Sequence, residues 1–572
     1  MYRHFRPILF IASLLFSTLL AAAPLRPTHA QHAMVTSVHE LASLAGIEIM
    51  RAGGNAVDAA VATGFALAVV HPQAGNLGGG GFLLLRTASG DVHFVDFREK
   101  APSAATENMY LNAQGNVVAD LSVVGYKAIG VPGSVAGLVY AEKKYGKLSL
   151  AKVIAPAIKL ARDGFPLAYE DARDLQSDEH LGAFPESRRI FQRDGKFYQP
   201  GEILKQPELA RTLERIAKNP DDFYHGDLAR ELAATIQKGG GLVTAADLAA
   251  YEVKEREPVR GTYRGYEIIG APPPSSGGTT LIEILNIVEG FDLAKTGNRS
   301  AETIHLTAEA FRRAFYDRTD FMGDPDFAKV PVPQLIDKKY AEAWRESIEV
   351  NHASPSLELR RPQFKDLERV ASHSVAQHEP ENTTHYSVVD SEGNAVAVTT
   401  TLNDSFGSRV TAEGLGFLLN DEMDDFATKQ GVPNSYGLIQ GQANAVGPNK
   451  RPLSAMTPTI VLKDGKLFLV LGSPGGPTII TTVANVLMGV VDFGLDIQEA
   501  VNAPRFHHQW LPDQILVEDR LSPDTMNLLR SKGHKLNVRH FWGDGECIMI
   551  DPKTGERLGA SDGRNNGKAV GY

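Results

Sequence analysis

The residues best suited to covalent chemistry are two adjacent threonines, Thr383 and Thr384, at the start of a segment that the alternation of side chains predicts to be a buried strand. If the chain were cut before Thr383, its hydroxyl would lie beside a free α-amine. An α-amine with a pKa of about 7.7–8.0 can accept that proton near neutral pH, so one residue would supply both nucleophile and base. On these residues alone, a threonine-rich hairpin is the simpler interpretation, because β-branched residues favour strands.

The turn between this strand and the next determines which residues face each other. A three-residue loop that ends in Gly393 fits a type I turn followed by a left-handed glycine. It pairs Asp390 with Asn394, and counting outward places Thr383 opposite Thr401, with Cβ atoms about 4.5–5.5 Å apart. We therefore expect a second hydroxyl beside the first, able to orient it. A loop one residue longer would break this alignment.

The elements that must position these residues are predicted to be helices and antiparallel strands. Apolar spacing predicts helices over 39–50 and 55–70, the second capped by Asn55 and buried on all sides. Strands are predicted over 82–86, 92–98, 459–462 and 467–471, and a helix from Thr478 to about Val491. The segregation of helices from strands predicts an α+β fold of stacked sheets covered by helices.

Composition excludes several classes of protein. The 572 residues, 43% hydrophobic and 22% charged, are typical of one large globular unit or two domains. The net charge of −10 argues against nucleic-acid binding. Cys547 is the only cysteine, so an intrachain disulfide is impossible.

The first thirty residues have the pattern of an export signal. Arg3 and Arg6 precede an apolar run over 8–23, and Thr28-His29-Ala30 offers small residues for cleavage after Ala30. The run is shorter than the roughly twenty residues of a spanning helix. We therefore expect a cleaved signal peptide over 1–30, a periplasmic or secreted protein and no stable membrane insertion. An uncleaved anchor is the alternative.

Short motifs recur along nearly the whole chain: 53–60 (GGNAVDAA), 71–81 (HPQAGNLGGGG), 96–99 (DFRE), 272–278 (PPPSSGG), the Thr383 segment, 451–454 (RPLS), 473–476 (SPGG) and 502–506 (NAPRF). Together they resemble the motifs of the bacterial γ-glutamyltransferases (γ-glutamyltranspeptidases), of the N-terminal-nucleophile hydrolase superfamily. This resemblance implies a four-layer αββα sandwich. It also implies a precursor that cleaves itself between Asn382 and Thr383 into a large subunit, 31–382, and a small catalytic subunit, 383–572, which form one intertwined unit.

The same resemblance assigns roles to individual residues. Thr383 would be the nucleophile with Thr401 beside it, and the backbone N–H groups of Gly475 and Gly476 would stabilise an oxyanion. The substrate-binding residues would be Arg98 and Ser454 for an α-carboxylate, Asp425 for an α-amine with Asn403 and Glu422 beside it, and Tyr436 at the tip of a lid over 429–450. Without the resemblance, these would be a surface ion pair, a solvated acidic loop and a plain glycine turn.

The activity implied is hydrolysis and transfer of the γ-glutamyl group of glutathione and related compounds. A γ-glutamyl-enzyme ester would form and pass the group to water, amino acids or dipeptides. No cofactor or metal is implied, because His507-His508 lacks a third ligand at metal spacing and His39-Glu40 lacks a second histidine. Two alternatives stay open: a glutaryl β-lactam acylase on the same scaffold, which would need no amine partner, and an exported binding protein without catalytic activity.

This chain departs from the family at one position of the proposed site. Ala455 stands where many relatives carry a second serine, beside Ser454. One hydrogen bond to the substrate carboxylate would then be missing, which for a charged partner is worth roughly 1.5–3 kcal/mol.

Overall fold

Two seven-stranded antiparallel sheets lie face to face in the computed structural model, which describes residues 26–365, 367, 383–429, 431–432, 434–435 and 437–572. The strands are β1 (Thr28–Ala30), β2 (Met34–Ser37), β3 (Gly80–Arg86), β4 (Val92–Phe97), β5 (Phe165–Pro166), β6 (Gln192–Arg193), β7 (Lys196–Phe197), β8 (Ile203–Leu204), β9 (Lys254–Arg256), β10 (Val259–Tyr263), β11 (Tyr266–Gly270), β12 (Thr384–Val389), β13 (Ala395–Thr401), β14 (Thr459–Lys463), β15 (Lys466–Leu471), β16 (Phe506–His507), β17 (Ile515–Glu518), β18 (Leu536–Arg539), β19 (Cys547–Ile550), β20 (Arg557–Ala560) and β21 (Lys568–Gly571). The first sheet has the order β21-β2-β12-β13-β3-β4-β9, and the second has the order β1-β20-β19-β15-β14-β11-β10.

Helices cover the outer face of each sheet. They are α1 (Glu40–Arg51), α2 (Ala56–Val70), α3 (Ser134–Tyr145), α4 (Leu150–Asp163), α5 (Tyr169–Ser177), α6 (Pro185–Phe191), α7 (Pro207–Lys218), α8 (Asp222–His225), α9 (Asp227–Lys238), α10 (Ala245–Ala249), α11 (Gly277–Val288), α12 (Leu293–Thr296), α13 (Ala301–Phe321), α14 (Val332–Leu335), α15 (Lys338–Glu346), α16 (Thr478–Val491), α17 (Ile497–Asn502) and α18 (Pro523–Ser531). Helices α1 to α4 pack on the first sheet, and α11, α13 and α16 pack on the second. A third apolar layer, with Phe82 and Leu84 against Ile460 and Val470, fills the space between the sheets. The predicted αββα order is confirmed.

Helix α2 has the burial and the N-terminal cap that its sequence predicts. All of its residues are buried, as its Ala- and Val-rich composition predicts. The Asn55 side chain accepts hydrogen bonds from the N–H groups of Val57 and Asp58, and the Asp58 carboxylate accepts one from Asn55 N at 2.7 Å. This reciprocal capping box begins the helix at the predicted residue.

The hairpin formed by β12 and β13 lies in the middle of the first sheet, between β2 and β3. Asp390 N donates to Asn394 O at 3.1 Å, and Gly393 has a φ of +92°, as the three-residue loop requires. The register pairs Thr384 with Thr400, so the predicted alignment of the two strands is correct.

The described chain begins inside the predicted leader. Residues Thr28 to Ala30 form the edge strand β1, which pairs with β20. Cleavage after Ala30 would remove this strand from the sheet, so the position of the cut stays a prediction. Among the described residues, no helix has the length and apolarity needed to cross a bilayer.

Candidate active site

A cavity opens where strands β4 and β13 end and β12 begins. It gathers eight of the residues assigned from the sequence, which come from segments more than 300 positions apart: Arg98, Thr383, Thr401, Asn403, Glu422, Asp425, Ser454 and Gly476. Gly475 lines a neighbouring cavity. Tyr436 and Asn382 lie outside the described residues.

The two threonine hydroxyls meet as the hairpin register predicts. Thr383 Oγ1 lies 3.2 Å from Thr401 Oγ1, and both residues are buried. Thr401 Oγ1 also accepts a hydrogen bond from Asn403 N at 2.9 Å. With that acceptor role filled, the Thr401 hydroxyl can donate its own proton to Thr383 Oγ1 and hold that oxygen in place.

Backbone strain is concentrated in the loop that follows β13. Asn403, Phe406 and Arg409 have φ angles of +82°, +62° and +65°, a region that L-residues rarely adopt. Asn403 is held there by its N–H bond to Thr401 Oγ1 and by a bond from its Nδ2 to Asp421 O at 3.2 Å. Such strain persists where surrounding contacts determine the conformation, and it often accompanies functional sites.

Arg98 lies at the centre of a buried charge cluster. It follows β4 directly, is 1% exposed, and forms ion pairs with Asp425 and Glu422. Its Nε donates to Pro452 O and its Nη2 to Leu453 O, both at 3.2 Å. Asp425 therefore lies directly beside Arg98. An α-amine and an α-carboxylate share one carbon, so a site for both needs its anion and cation adjacent, as here.

Burial changes how much charge this cluster carries. Burial opposes the charge of Arg98, but Glu422 and Asp425 raise the pKa of its guanidinium above the ordinary value. Burial raises the pKa of Glu99 to about 7, and it raises the pKa of Glu422 well above its usual range, with Arg98 opposing both shifts. Burial therefore favours the neutral forms of Glu99 and Glu422, whereas the pairing with Arg98 favours their charged forms.

Ser454 is held by the serine block of residues 272–278. Ser454 N donates to Pro274 O at 2.9 Å, and Ser276 donates to Ser454 O through its N–H at 2.8 Å and its hydroxyl at 2.7 Å. Ser454 Oγ accepts from Met456 N at 3.1 Å, which leaves its proton able to reach a ligand. The methyl group of Ala455 lines the same cavity.

The glycine turn between β15 and α16 has the geometry of an anion site. Gly475 and Gly476 have φ angles of +128° and +51°, and a Cβ on Gly475 would lie 2.5 Å from Thr478 Oγ1. Glycine is required at such positions. Among the described residues, neither glycine N–H finds an acceptor. Two N–H groups at a helix N-terminus can therefore stabilise a developing oxyanion.

Arg318 is a site residue that the sequence did not identify. It comes from α13, lines the cavity and donates from Nε to Ser276 Oγ at 2.8 Å. Its Nη1 is buried without a partner among the described residues. Burial lowers the pKa of Arg318 to about 10, against the attraction of Asp425. Because Ser276 in turn donates to Ser454 O, Arg318 supports the carboxylate-binding segment.

The described part of the predicted lid is tied to the acidic turn below it. Ser435 N donates to Asp424 Oδ2 at 2.9 Å, and Gln440 Nε2 donates to Asp425 O at 3.0 Å. Leu438 lines the cavity itself. This segment therefore lies beside the charge cluster, and its role as a lid stays a prediction.

One group of side chains in the described ranges has ligand atoms close enough for a metal ion: His305, Glu309 and His534. His305 Nδ1 lies 2.7 Å from His534 Nε2, and Glu309 forms ion pairs with Arg312 at 3.3 Å and Arg313 at 2.6 Å. The two guanidinium groups already neutralise this carboxylate and would repel a cation. None of the three residues lines the cavity, although His305 and Glu309 lie on the same helix as Arg318.

Comparisons with known proteins identify the family of this chain. The profile of the family described as Gamma-glutamyltranspeptidase matches residues 42–572. The chain is 51% identical to the glutathione hydrolase proenzyme of Escherichia coli K12 over 94% of this chain and 91% of the relative. It is 48% identical to the glutathione hydrolase proenzyme of Pseudomonas sp. strain A14, with 96% of each chain covered. The crystal structure of cephalosporin acylase from Bacillus halodurans matches with a TM-score of 0.82 and 29% identity, over 98% of this chain and 99% of that one. The chain belongs to the gamma-glutamyltranspeptidase family.

Proposed function

We propose that Thr383 is the nucleophile of this self-processing γ-glutamyltransferase and glutathione hydrolase, and that it becomes the first residue of a catalytic subunit. The observation that carries the assignment is the contact of 3.2 Å between the hydroxyls of Thr383 and Thr401, in the cavity that also holds Arg98 and Asp425. A nucleophile, an orienting hydroxyl and a matched pair of charges therefore lie in one cavity.

Maturation uses the same hydroxyl as catalysis. Thr383 Oγ1 attacks the carbonyl carbon of Asn382, the C–N bond breaks, and the resulting ester is hydrolysed to leave a free α-amine on Thr383. The first sheet takes β2, β3, β4 and β9 from the segment before the cut and β12, β13 and β21 from the segment after it. The large subunit, 31–382, and the small subunit, 383–572, would therefore stay associated through shared sheets.

Catalysis then proceeds in two steps. The α-amine of Thr383 takes the hydroxyl proton as Oγ1 attacks the γ-carbonyl, and the N–H groups of Gly475 and Gly476 stabilise the oxyanion. The C–N bond breaks, the leaving amine takes the proton, and a γ-glutamyl ester remains. Water, an amino acid or a dipeptide attacks this ester, and the hydroxyl of Thr383 is regenerated.

Charge complementarity selects the γ-glutamyl group. Arg98 and the Ser454 hydroxyl would hold the α-carboxylate, and Asp425 would hold the α-amine, with Asn403 and Glu422 completing the wall. A guanidinium suits this role because it bonds carboxylates in a planar fork. The direct contact between Arg98 and Asp425 supports this assignment.

The glutaryl acylase is the nearest alternative, since a cephalosporin acylase shares the fold. A glutaryl group has no α-amine, so the partly buried Asp425 carboxylate would face an apolar methylene at a desolvation cost. The retained aspartate therefore supports the glutamyl substrate. An inert binding protein is disfavoured by the family and by the threonine pair. The direct test is whether purified protein releases glutamate from glutathione and, with a dipeptide present, transfers the γ-glutamyl group to that dipeptide.

Introducing a serine at Ala455 tests the place where the chain departs from its relatives. The methyl group lines the cavity beside Ser454, so Ala455→Ser adds a donor near the bound carboxylate. We expect KM for γ-glutamyl substrates to fall about fivefold, the equivalent of a hydrogen bond worth about 1 kcal/mol. The change should appear in KM alone, because the carboxylate is bound alike in the ground and transition states. An unchanged or raised KM in correctly processed protein would contradict the missing-bond account.

We propose that the protein is exported, either to the periplasm or out of the cell. Removal of the first thirty residues predicts a large subunit that starts at Gln31, and N-terminal sequencing of protein from the expressing cells measures this directly. A start before Thr28 would instead retain strand β1 and its pairing with β20. A full-length leader in the mature protein would contradict the proposal.

A further inference from the structure

Two buried guanidinium groups line the cavity, those of Arg98 and Arg318, and they differ in how many of their nitrogens have partners. All three nitrogens of Arg98 are engaged. Their partners are Pro452 O, Leu453 O and the carboxylates of Asp425, Glu422 and Glu99. Arg98 can therefore receive a substrate carboxylate only by giving up one of these contacts.

Arg318 keeps most of its N–H donors unused. It is 2% exposed, and its Nε donates to Ser276 Oγ at 2.8 Å. In the part of the chain that the structure describes, neither Nη1 nor Nη2 has a hydrogen-bond acceptor, and no carboxylate forms an ion pair with this guanidinium. A buried charge without a partner is unfavourable, so an anion that entered the cavity would be stabilised beside Arg318.

An anion beside Arg318 would also lie close to the Ser454 hydroxyl. Ser276 Oγ donates to Ser454 O at 2.7 Å, so one serine joins Arg318 to the segment of Ser454. Ser454 Oγ accepts from Met456 N and keeps its own proton for a ligand. The Asp425 carboxylate is near enough to attract the Arg318 charge. The cavity therefore offers donors for a carboxylate next to an acceptor for an amine, the arrangement that a glutamate α-carbon requires.

We propose that Arg318 binds the α-carboxylate of the γ-glutamyl group directly, as a second guanidinium beside that of Arg98. The N–H groups of Nη1 and Nη2 lie in one plane, which suits the two oxygens of a carboxylate. Arg98 contributes one contact and keeps Asp425 and Glu422 in place, and Arg318 supplies the charge that has no other partner. This inference rests on the proposed function and adds a specificity-determining residue to it.

The test compares two donors that differ only in the α-carboxylate. A γ-glutamyl anilide has this group, whereas a 4-aminobutyryl anilide has hydrogen in its place. The ratio of kcat/KM for the two donors is measured on one sample, so the fraction of folded and processed enzyme cancels. In Arg318→Gln, we expect this ratio to fall about 30-fold, as for the loss of a buried charge-assisted hydrogen bond. The loss should appear in KM for the γ-glutamyl anilide, because the carboxylate is bound alike in the ground and transition states.

Two control variants separate direct contact from support of the fold. Ser276→Ala removes the hydroxyl through which Arg318 supports Ser454 and keeps the guanidinium, so the ratio should fall by less than about fivefold. Arg313→Lys changes another buried arginine of α13, which pairs with Glu309 and does not line the cavity, so its ratio should match that of the wild type.

Arg318→Lys carries the same comparison if Arg318→Gln does not yield cleaved protein. Lysine keeps the charge but lacks the planar fork, so the ratio should fall about fivefold, against no change in Arg313→Lys. An unchanged ratio in the cleaved Arg318 variant would overturn the inference, and so would a fall of equal size in Ser276→Ala. Failure of the wild-type protein to cleave the γ-glutamyl anilide would instead contradict the proposed function itself.

Discussion

Replacing Thr383 with alanine will leave one uncut chain of precursor size and lower glutathione hydrolysis by about 10⁴-fold or more. The reason is that one hydroxyl serves both self-cleavage and attack on the substrate. Denaturing electrophoresis measures the first effect, and glutamate release measures the second. Thr383→Ser should retain part of both activities, since it keeps the hydroxyl and loses only the methyl group.

Thr384→Ala is the matched control for this experiment. It removes the same hydroxyl and methyl groups one residue further along β12, where the alternation of a strand directs the side chain to the opposite face. Thr384 does not line the cavity, so cleavage and activity should persist in this variant. Efficient cleavage of the Thr383→Ala chain at the same bond would refute the assignment of the nucleophile.

Changing Asp425 to asparagine will lower kcat/KM for γ-glutamyl substrates. It will leave kcat/KM for glutaryl substrates unchanged or raise it. The loss of a buried charge-assisted contact with the α-amine should cost on the order of 2–5 kcal/mol in transition-state binding. Because Asp425 pairs with Arg98, its neutralisation also leaves the guanidinium freer to hold a carboxylate. A glutaryl substrate keeps that benefit without losing an amine contact. The measurement is kcat/KM for matched glutamyl and glutaryl anilides.

Asp424→Asn provides the control for charge alone. The Asp424 carboxylate accepts from Ser122 Oγ at 2.6 Å and from Ser435 N at 2.9 Å, and it lies outside the cavity. Neutralising Asp424 should change kcat/KM for the glutamyl and glutaryl substrates by the same factor. Equal losses on glutamyl and glutaryl substrates in Asp425→Asn would count against the assignment of Asp425 to the amine.

The turn type and the strand register, which depend only on neighbouring residues, were sufficient to predict the threonine pair. The turn at Gly393 specifies the register of β12 and β13, and the register places Thr383 opposite Thr401 before any distant contact is known. The capped helix α2 was predictable for the same reason, since its cap and its apolar composition lie within one short segment.

Contacts between distant segments could not be derived in this way. Arg98 and Asp425 are 327 positions apart, and only the resemblance to a family suggested that they share a site. Their direct ion pair depends on how β4 and the acidic turn approach each other in the fold. Arg318 was missed because α13 buries several arginines, so helical spacing does not reveal which one faces the cavity.

The measurement that tests the central claim most directly is N-terminal sequencing of both bands from purified, active wild-type protein. The account predicts two fragments, the smaller beginning Thr-Thr-His-Tyr, with a mass that corresponds to residues 383–572. This result would identify the maturation bond and the residue with a free α-amine at once. A fully active protein that remains a single chain, or whose smaller fragment begins at any residue other than Thr383, would contradict it.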